Sequence, residues 1–249
     1  MNLKDKIVLI TGGTRGIGGA AALACAQAGA QVAIVGRNED DDTIATCKAV
    51  RAAGGRCELI LADCGKPKEA TRCVDETIRR LGALDVLVHS AGGAVNGKLF
   101  EISEADWYGA FDVHVHAIFH LCRAALPHLK PRKEGAIILI SSTAGLRAVH
   151  TNIAYQVVKG AIPHFTRALA RECADDNIRV NCVAPGVIRT RFHAAMSEQQ
   201  KKLNLEQRIP LHREGTSAQV ASLILELVTN DYITGETFTI DGGLTMRIA

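Results

Sequence analysis

Residues 7–18 read Ile-Val-Leu-Ile-Thr-Gly-Gly-Thr-Arg-Gly-Ile-Gly, so an apolar run passes directly into a glycine-rich turn. The Ala-rich residues 19–28 that follow are typical of a helix. The glycines at 12, 16 and 18 allow a sharp turn and a close approach of backbone to a pyrophosphate, while the helix start offers free N–H groups. A strand, such a turn and a helix predict the first unit of a dinucleotide-binding α/β fold.

The same alternation of short β-branched runs and longer helical patterns continues along the chain. Seven strands are predicted, at Lys6–Ile10, Gln31–Val35, Cys57–Leu61, Asp85–Val88, Ala136–Ile140, Arg179–Val183 and Thr237–Ile240. Several runs are apolar throughout, which indicates strands covered on both faces. We therefore expect one α/β domain over residues 1–249: a Rossmann-type three-layer sandwich with a seven-stranded, mostly parallel, doubly wound sheet and helices on both faces.

Residues 190–213 are the least patterned stretch of the chain. They follow the sixth predicted strand and would lie beyond the carboxyl ends of the strands, where open α/β sheets bind ligands. This position predicts a substrate lid. The alternative is an ordinary pair of surface helices.

Composition excludes several classes of protein. With 47% hydrophobic and 22% charged residues the chain is an ordinary globular one, and its net charge of +3 is dispersed, which argues against a nucleic-acid partner. Neither a signal-like N-terminus nor a long apolar run is found, which predicts a cytoplasmic protein without a membrane partner. Eight cysteines without a CxxC pair predict reduced thiols. His116 and His120 lack a third ligand, so no metal is expected.

A second group of residues predicts acid–base chemistry. Tyr155 and Lys159 are four apart on a predicted helix and so share a face, and Ser142 ends the fifth strand thirteen residues before Tyr155. A phenol with a pKa near 10 is a poor acid–base group unless it is tuned, and an ammonium group lowers its pKa by favouring the tyrosinate. We expect Tyr155 to exchange the proton, Lys159 to lower the pKa of Tyr155, and Ser142 to bind the substrate oxygen.

These motifs resemble the short-chain dehydrogenase/reductase family, which also has three residues between its first two glycines and the same Ser–Tyr–Lys spacing. The resemblance runs from residue 5 to about 245 and is closest in layout to β-ketoacyl-acyl-carrier-protein reductases and sugar/polyol dehydrogenases. It implies a nicotinamide cofactor, carbonyl/alcohol interconversion and a homotetramer. The implied cofactor-binding residues are Gly12, Thr14, Arg15, Gly16, Ile17, Gly18, Arg37, Asp63, Ala91, Gly92, Tyr155, Lys159, Pro185, Gly186, Val187, Ile188 and Thr190.

The end of the second strand bears on the choice of nicotinamide. An acidic side chain there would accept from the ribose hydroxyls of NAD and repel a 2′-phosphate. Here the sequence reads Val-Gly-Arg-Asn at 35–38, with no carboxylate until Glu39. Arg37 offers a planar fork for phosphate, and Arg15 could reach the same phosphate from the other side. We therefore expect NADP(H) to be preferred over NAD(H); the alternative is two solvated arginines.

The chain departs from the family pattern at two places near the predicted site. The family's Asn-Asn-Ala-Gly is His-Ser-Ala-Gly at 89–92, and an Asn that anchors a proton-relaying water is His114. A neutral imidazole both donates and accepts, whereas a protonated one only donates. We expect His114 to serve in the relay and to add an acid-side inflection to turnover, unless its ring points away. Pro163 lies inside the helix of Tyr155, where it favours a kink.

The substrate stays open between a ketoacyl thioester and a sugar or polyol. A thioester would bring an acyl carrier protein, for which Arg132, Lys133 and Arg171 could form a basic rim. A non-catalytic NADP-binding sensor or scaffold is the alternative function. The intact Ser142, Tyr155 and Lys159 argue against it.

Overall fold

A computed structural model describes residues 1–150, 152–191 and 196–246. The strands are β1 Ile7–Thr11, β2 Gln31–Gly36, β3 Cys57–Leu61, β4 Val86–His89, β5 Gly135–Ile140, β6 Ile178–Pro185, β7 Ile188–Arg189, β8 Gly215–Thr216 and β9 Thr237–Ile240. The α-helices are α1 Gly16–Gln27, α2 Asp41–Ala52, α3 Pro67–Leu81, α4 Glu104–Phe111, α5 Ala117–Leu129, α6 Ile153–Cys173, α7 Glu198–Leu203 and α8 Ser217–Thr229.

Seven of these strands form one sheet in the order β3-β2-β1-β4-β5-β6-β9. Every neighbouring pair is parallel, so the predicted Rossmann-type sheet is confirmed. The seven predicted strands are all present: two have the predicted bounds, and the others differ by no more than two residues at either end. The chain order reverses between β1 and β4, and a ligand crevice opens at such a switch point, outside the carboxyl ends of the strands.

Buried apolar side chains cover both faces of the sheet. One cluster packs α3, α5 and α6 on one face, and a second packs α1, α2 and α8 on the other. Strands β1, β4 and β5 are buried at every position, which explains why their sequences do not alternate between apolar and polar residues. The three-layer sandwich is confirmed, and it holds the strand ends rigidly enough to carry a site.

Two segments contain π-helical turns. Between α4 and α5 the residues Asp112–His116 form a π-helical turn, a feature often found at functional sites. The predicted lid at 190–213 is partly helical, with α7 followed by a π-helical turn at Asn204–Arg208. Residues 192–195 of the lid lie outside the described residues. The end of the lid is fixed where Leu211 N–H donates to Gly242 O at 3.1 Å.

Candidate active site

The glycine-rich turn packs as tightly as its sequence predicts. Gly12 has a φ of +64°, and a Cβ atom there would lie 2.7 Å from the backbone nitrogen of Ala91. A Cβ on Gly18 would collide with the carbonyl of Gly12. Helix α1 begins at Gly16 without a side-chain cap and without an acidic residue in its first turn. Its first N–H groups, together with the helix dipole, therefore suit an anion such as a pyrophosphate.

The segment after β6 lies beside this turn. Pro185 ends β6, and Gly186 N–H donates to Ile240 O at 3.0 Å. Ile188 pairs with Gly215 in the short β7–β8 sheet, and Val187 O accepts from Gly215 N–H at 3.0 Å. The methyl group of Thr190 lies 3.6 Å from the position of a Cβ on Gly16.

The predicted adenosine end carries two carboxylates beside Arg15. Arg37 is exposed, as expected for a phosphate ligand. Arg15 is not free: its Nη2 lies 2.6 Å from Asp40 Oδ2 and its Nη1 lies 3.3 Å from Asp42 Oδ2. Hydrogen bonds from the backbone and side chain of Thr43 hold the pKa of Asp40 below its usual value. Arg15 would have to leave, or share, these carboxylates to bind a phosphate.

Three further predicted cofactor residues lie around the same crevice. Thr14 is buried, and a Cβ on Gly36 would collide with its methyl group. Asp63 follows β3, and its Oδ1 accepts from Gly65 N–H at 3.0 Å. Ile17, in the first turn of α1, packs against the core on that face.

Ser142, Tyr155 and Lys159 come together at the carboxyl end of β5. Ser142 is hydrogen-bonded to Tyr155, and its Oγ also accepts from Ala144 N–H at 3.2 Å. The Nζ of Lys159 lies 5.7 Å from the centre of the Tyr155 ring and donates to Ile140 O at 2.7 Å. The structure thus brings together the three side chains that the sequence predicted to act as one group.

The acidities of this group differ from the expectation. Burial raises the pKa of Tyr155, and the hydrogen bond with Ser142 opposes that rise. Burial also lowers the pKa of Lys159 to about 8. The expected lowering of the Tyr155 pKa is therefore not seen in this structure, where burial is the larger influence and the ammonium group of Lys159 is bonded to Ile140 O; the role of Lys159 stays a prediction.

Pro163 has a consequence for Lys159. Helix α6 runs from Ile153 to Cys173 through Pro163, which has no N–H to donate to the carbonyl four residues earlier, that of Lys159. The hydroxyl of Ser141 donates to this carbonyl instead, at 2.6 Å. Both groups are buried. Lys159 is therefore tied to the end of β5 twice, by its Nζ and by its carbonyl oxygen.

His114 faces the group rather than pointing away. Its ring meets that of Tyr155 edge-on at a centroid distance of 5.9 Å, and only 1% of the residue is exposed. Its Nε2 lies 3.1 Å from Gly93 O, and since a carbonyl only accepts, Nε2 carries the proton. Nδ1 is then an acceptor, and it has no hydrogen-bond partner among the described residues. A Cβ on Gly92 would collide with this ring.

Burial, followed by the nearby charge of Lys159, lowers the pKa of His114 to about 2. The predicted acid-side inflection from His114 is therefore wrong, because the imidazole is neutral throughout the ordinary working range. His89 is also buried, with its pKa lowered to about 3. Unlike His114, it uses both ring nitrogens: Nδ1 lies 2.8 Å from Thr11 Oγ1 and Nε2 lies 3.1 Å from Val113 O. His89 thus links β1 to the π-helical turn.

The predicted basic rim lies away from this group within one chain. Arg132 and Lys133 precede β5, whereas Ser142 follows it, so the strand's six residues place them about 20 Å apart. Arg132 binds Asp85, and Lys133 binds Asp176, each at 2.7 Å. Arg171 lies sixteen residues beyond Tyr155 on α6, about 24 Å along the helix axis. These residues lie toward the amino ends of the strands, away from Ser142 and Tyr155 of the same chain, and the carrier-protein rim stays a prediction.

His116, half of the candidate metal pair, bonds to Asp112 at 2.9 Å. Across residues 1–150, 152–191 and 196–246, no group of three or more His, Cys, Asp or Glu side chains is placed to hold a metal ion. No helix in this part of the chain is long and apolar enough to cross a membrane. The cytoplasmic location stays a prediction.

Comparison with known proteins identifies the family. A family model described as enoyl-(acyl carrier protein) reductase matches residues 12–245. The 3-oxoacyl-[acyl-carrier-protein] reductase of Chlamydia muridarum is 34% identical over 244 residues, which are 97% of this chain and 98% of that protein. A short-chain type dehydrogenase/reductase from Mycobacterium ulcerans superimposes with a TM-score of 0.92 at 30% identity, over 99% of this chain and 92% of that one. This chain belongs to the short-chain dehydrogenase/reductase family.

As a member of that family the protein is an oxidoreductase. Another solved structure, the L-sorbose reductase of Gluconobacter frateurii with NADPH and L-sorbose, has a TM-score of 0.92 at 26% identity and covers 100% of both chains. The family's members thus include enzymes of different substrate classes on one fold. The substrate has to be argued from the site and not from the fold.

Proposed function

We propose that this enzyme interconverts a carbonyl and a secondary alcohol with NADP(H), and that Tyr155 exchanges the proton. The observation that carries the proposal is the meeting of three side chains at the end of β5: Ser142 is hydrogen-bonded to Tyr155, and the buried Lys159 lies beside the Tyr155 ring. A bound nicotinamide dinucleotide supplies the hydride and leaves a substrate oxygen that needs a proton. A group that only bound the cofactor would not require a phenol bonded to a serine hydroxyl.

The residues around the crevice fit such a dinucleotide. The uncapped start of α1 and the glycines at 12, 16 and 18 suit its pyrophosphate. Asp63 and Ala91 line the crevice between, and the 185–190 segment faces the glycine turn. In our proposal, Ser142 binds the substrate oxygen, Tyr155 delivers its proton, and the lowered pKa of Lys159 lets this ammonium exchange protons near neutral pH.

His114 completes the proposed site as an acceptor. Its N–H is used by Gly93 O, so its bare Nδ1 can hold only a donor, such as a relaying water. Since burial keeps the ring neutral, it serves this role at any ordinary pH. This differs from an asparagine, which offers both a donor and an acceptor.

Two substrate classes fit the proposal equally: a ketoacyl thioester, as used by the Chlamydia relative, and a sugar or polyol, as bound by the sorbose reductase. The test is a turnover screen of both classes, in both directions, with NADPH/NADP⁺ and NADH/NAD⁺. Reduction of at least one carbonyl with NADPH preferred is the expected result. Complete inactivity alongside tight NADPH binding would contradict the proposal and favour a sensor. A ketoacyl thioester as substrate would make an acyl carrier protein the natural partner.

We also propose a homotetramer, as the family resemblance implies. Two apolar side chains on the relevant helices support it: Phe119 on α5 is 47% exposed and Val157 on α6 is 43% exposed. Burial of such side chains against symmetry mates removes apolar surface from water. Sedimentation at micromolar concentration should show four chains, and a monomer would refute the proposal.

A further inference from the structure

The side chain of Asp42 joins two arginines from different segments of the chain. Its Oδ2 lies 3.3 Å from Arg15 Nη1, and its Oδ1 lies 3.0 Å from Arg191 Nη2. Arg15 immediately precedes α1 in the glycine turn, and Arg191 follows Thr190 at the start of the predicted lid. Asp42 itself lies in the first turn of α2. One carboxylate thus links the phosphate turn, the helix after β2 and the lid.

Arg15 is therefore occupied before any phosphate arrives. Asp40 holds its Nη2 at 2.6 Å while Asp42 holds its Nη1, so both edges of the guanidinium face carboxylates. Residues 37–42 carry one positive and four negative charges, which repel a further anion. A 2′-phosphate that uses Arg15 must compete with these carboxylates. The side chains of Arg15, Asp40 and Asp42 are 40%, 37% and 27% exposed, so the ion pairs are screened and can be exchanged.

The charge of Asp42, unlike that of Asp40, can be removed without the loss of a helix cap. Asp40 caps α2, where it accepts from Thr43 N–H at 3.0 Å and from Thr43 Oγ1 at 2.9 Å. Loss of a cap destabilises the helix itself. Asp42 makes ion pairs with Arg15 and Arg191 and has no such capping bond among the described residues.

We propose that Asp42 is a cofactor-selecting residue: it acts as the counter-ion of Arg15 and must yield to the 2′-phosphate of NADP(H), whereas NAD(H), which has no such phosphate, leaves the pair intact. This inference rests on the proposed use of Arg15 by NADP(H). The freed carboxylate can keep its ion pair with Arg191 at the start of the lid. Asp42 thus limits NADP(H) affinity.

The test measures the dissociation constants of NADPH and NADH by fluorescence titration at fixed ionic strength. We expect Asp42→Asn to tighten NADPH by about 3- to 10-fold and to change NADH by less than about 2-fold. Asp41→Asn is the matched control, since Asp41 has the same charge and the same helical turn and makes no ion pair among the described residues. It should tighten NADPH by less than about 2-fold.

Each other outcome overturns the inference. Weaker NADPH binding by Asp42→Asn would mean that Asp42 supports Arg15 in a phosphate-binding position. An equal gain in Asp41→Asn would assign the effect to net charge. Arg191→Gln leaves the pair of Asp42 with Arg15 in place and should not tighten NADPH; a gain as large as that of Asp42→Asn would assign the effect to Arg191. Tighter NADH than NADPH binding in the wild type would instead contradict the proposed cofactor preference. In that case a difference in NADPH affinity between Asp42→Asn and Asp41→Asn would still test the role of Asp42.

Discussion

The two ends of the crevice are built from different interactions. At the end near Tyr155, Lys159 and His114 are buried, and their bonds run to backbone carbonyls of β5 and of the loop after β4. At the other end, Arg15 and Asp42 are partly exposed, and their ion pairs run to other charged side chains. Buried polar groups cost much when a partner is lost, whereas exposed ion pairs are screened and cost little. Substitutions at the buried end should therefore have large effects, whereas substitutions at the exposed end should have small ones.

The largest expected effect is that of Tyr155→Phe, at the buried end. Only the phenolic hydroxyl is removed, so we expect turnover to fall by about 10²- to 10⁴-fold while NADPH binding changes little. Steady-state kinetics and a binding titration on the same sample measure both. A variant that keeps most of its activity would remove Tyr155 from the chemistry and would break the contrast between the two ends.

Arg37→Ala tests the exposed end. A charge-assisted bond to a phosphate is worth about 1.5–3 kcal/mol, which is about one to two decades in affinity. We expect NADPH to weaken by that amount and NADH to change little, as measured by titration with each. Equal losses for both cofactors would show that Arg37 does not bind the 2′-phosphate.

The link between Ser141 and Lys159 sharpens the comparison further. In Ser141→Ala the carbonyl of Lys159 loses its donor, and Pro163 cannot replace it, so we expect a loss of about 1–3 kcal/mol in stability and a shifted pH profile of turnover. In the double variant with Pro163→Ala, the new N–H at 163 can donate to that carbonyl. Urea unfolding and pH profiles of the two variants should show rescue. Additive losses would mean that the carbonyl has no role.

The remaining prediction is a dependence of stability on pH. His114 and His89 stay neutral in the folded protein, with pKa values near 2 and 3, whereas in the unfolded chain they protonate near pH 6.5. Because the unfolded state binds more protons, the free energy of unfolding should fall as pH drops below 6.5, by up to about 1.4 kcal/mol per pH unit for each group.

Urea unfolding at several pH values between 4 and 7 gives the slope of the unfolding free energy against pH. In His114→Asn this slope should be smaller than in the wild type by the contribution of one proton. His116→Asn is the control, because His116 is exposed on the same π-helical turn. Equal slopes in the wild type and in His114→Asn would show that His114 is not held neutral. If His114 is neutral, the acid side of the pH profile of turnover should likewise be the same in the wild type and in His114→Asn.

The parts of the molecule that sequence predicted well depend on short-range patterns. The strands, the glycine turn and the Tyr155–Lys159 pair are each determined within about ten residues, where periodicity and turn chemistry are informative. The contacts that it missed join distant residues: Arg15 meets Asp40 25 positions away, and Ser141 meets the Lys159 carbonyl 18 positions away. The pKa of His114 depends on burial, which no local pattern reports. The distance of Arg132 and Lys133 from Ser142 was predictable, since residues that precede a parallel strand lie at its amino end.

Pro163 in α6 also limits the order in which positions 141 and 163 can change during evolution. With Ser141 present, the carbonyl of Lys159 has a hydrogen-bond donor even when residue 163 is a proline. Without that hydroxyl, the same proline leaves this carbonyl, near Tyr155, without a donor. A lineage can therefore acquire the hydroxyl first and the proline second at little cost, but not in the reverse order. Once both are in place, Ser141 cannot be lost while the proline remains, so Ser141 becomes entrenched although it has no part in the reaction itself.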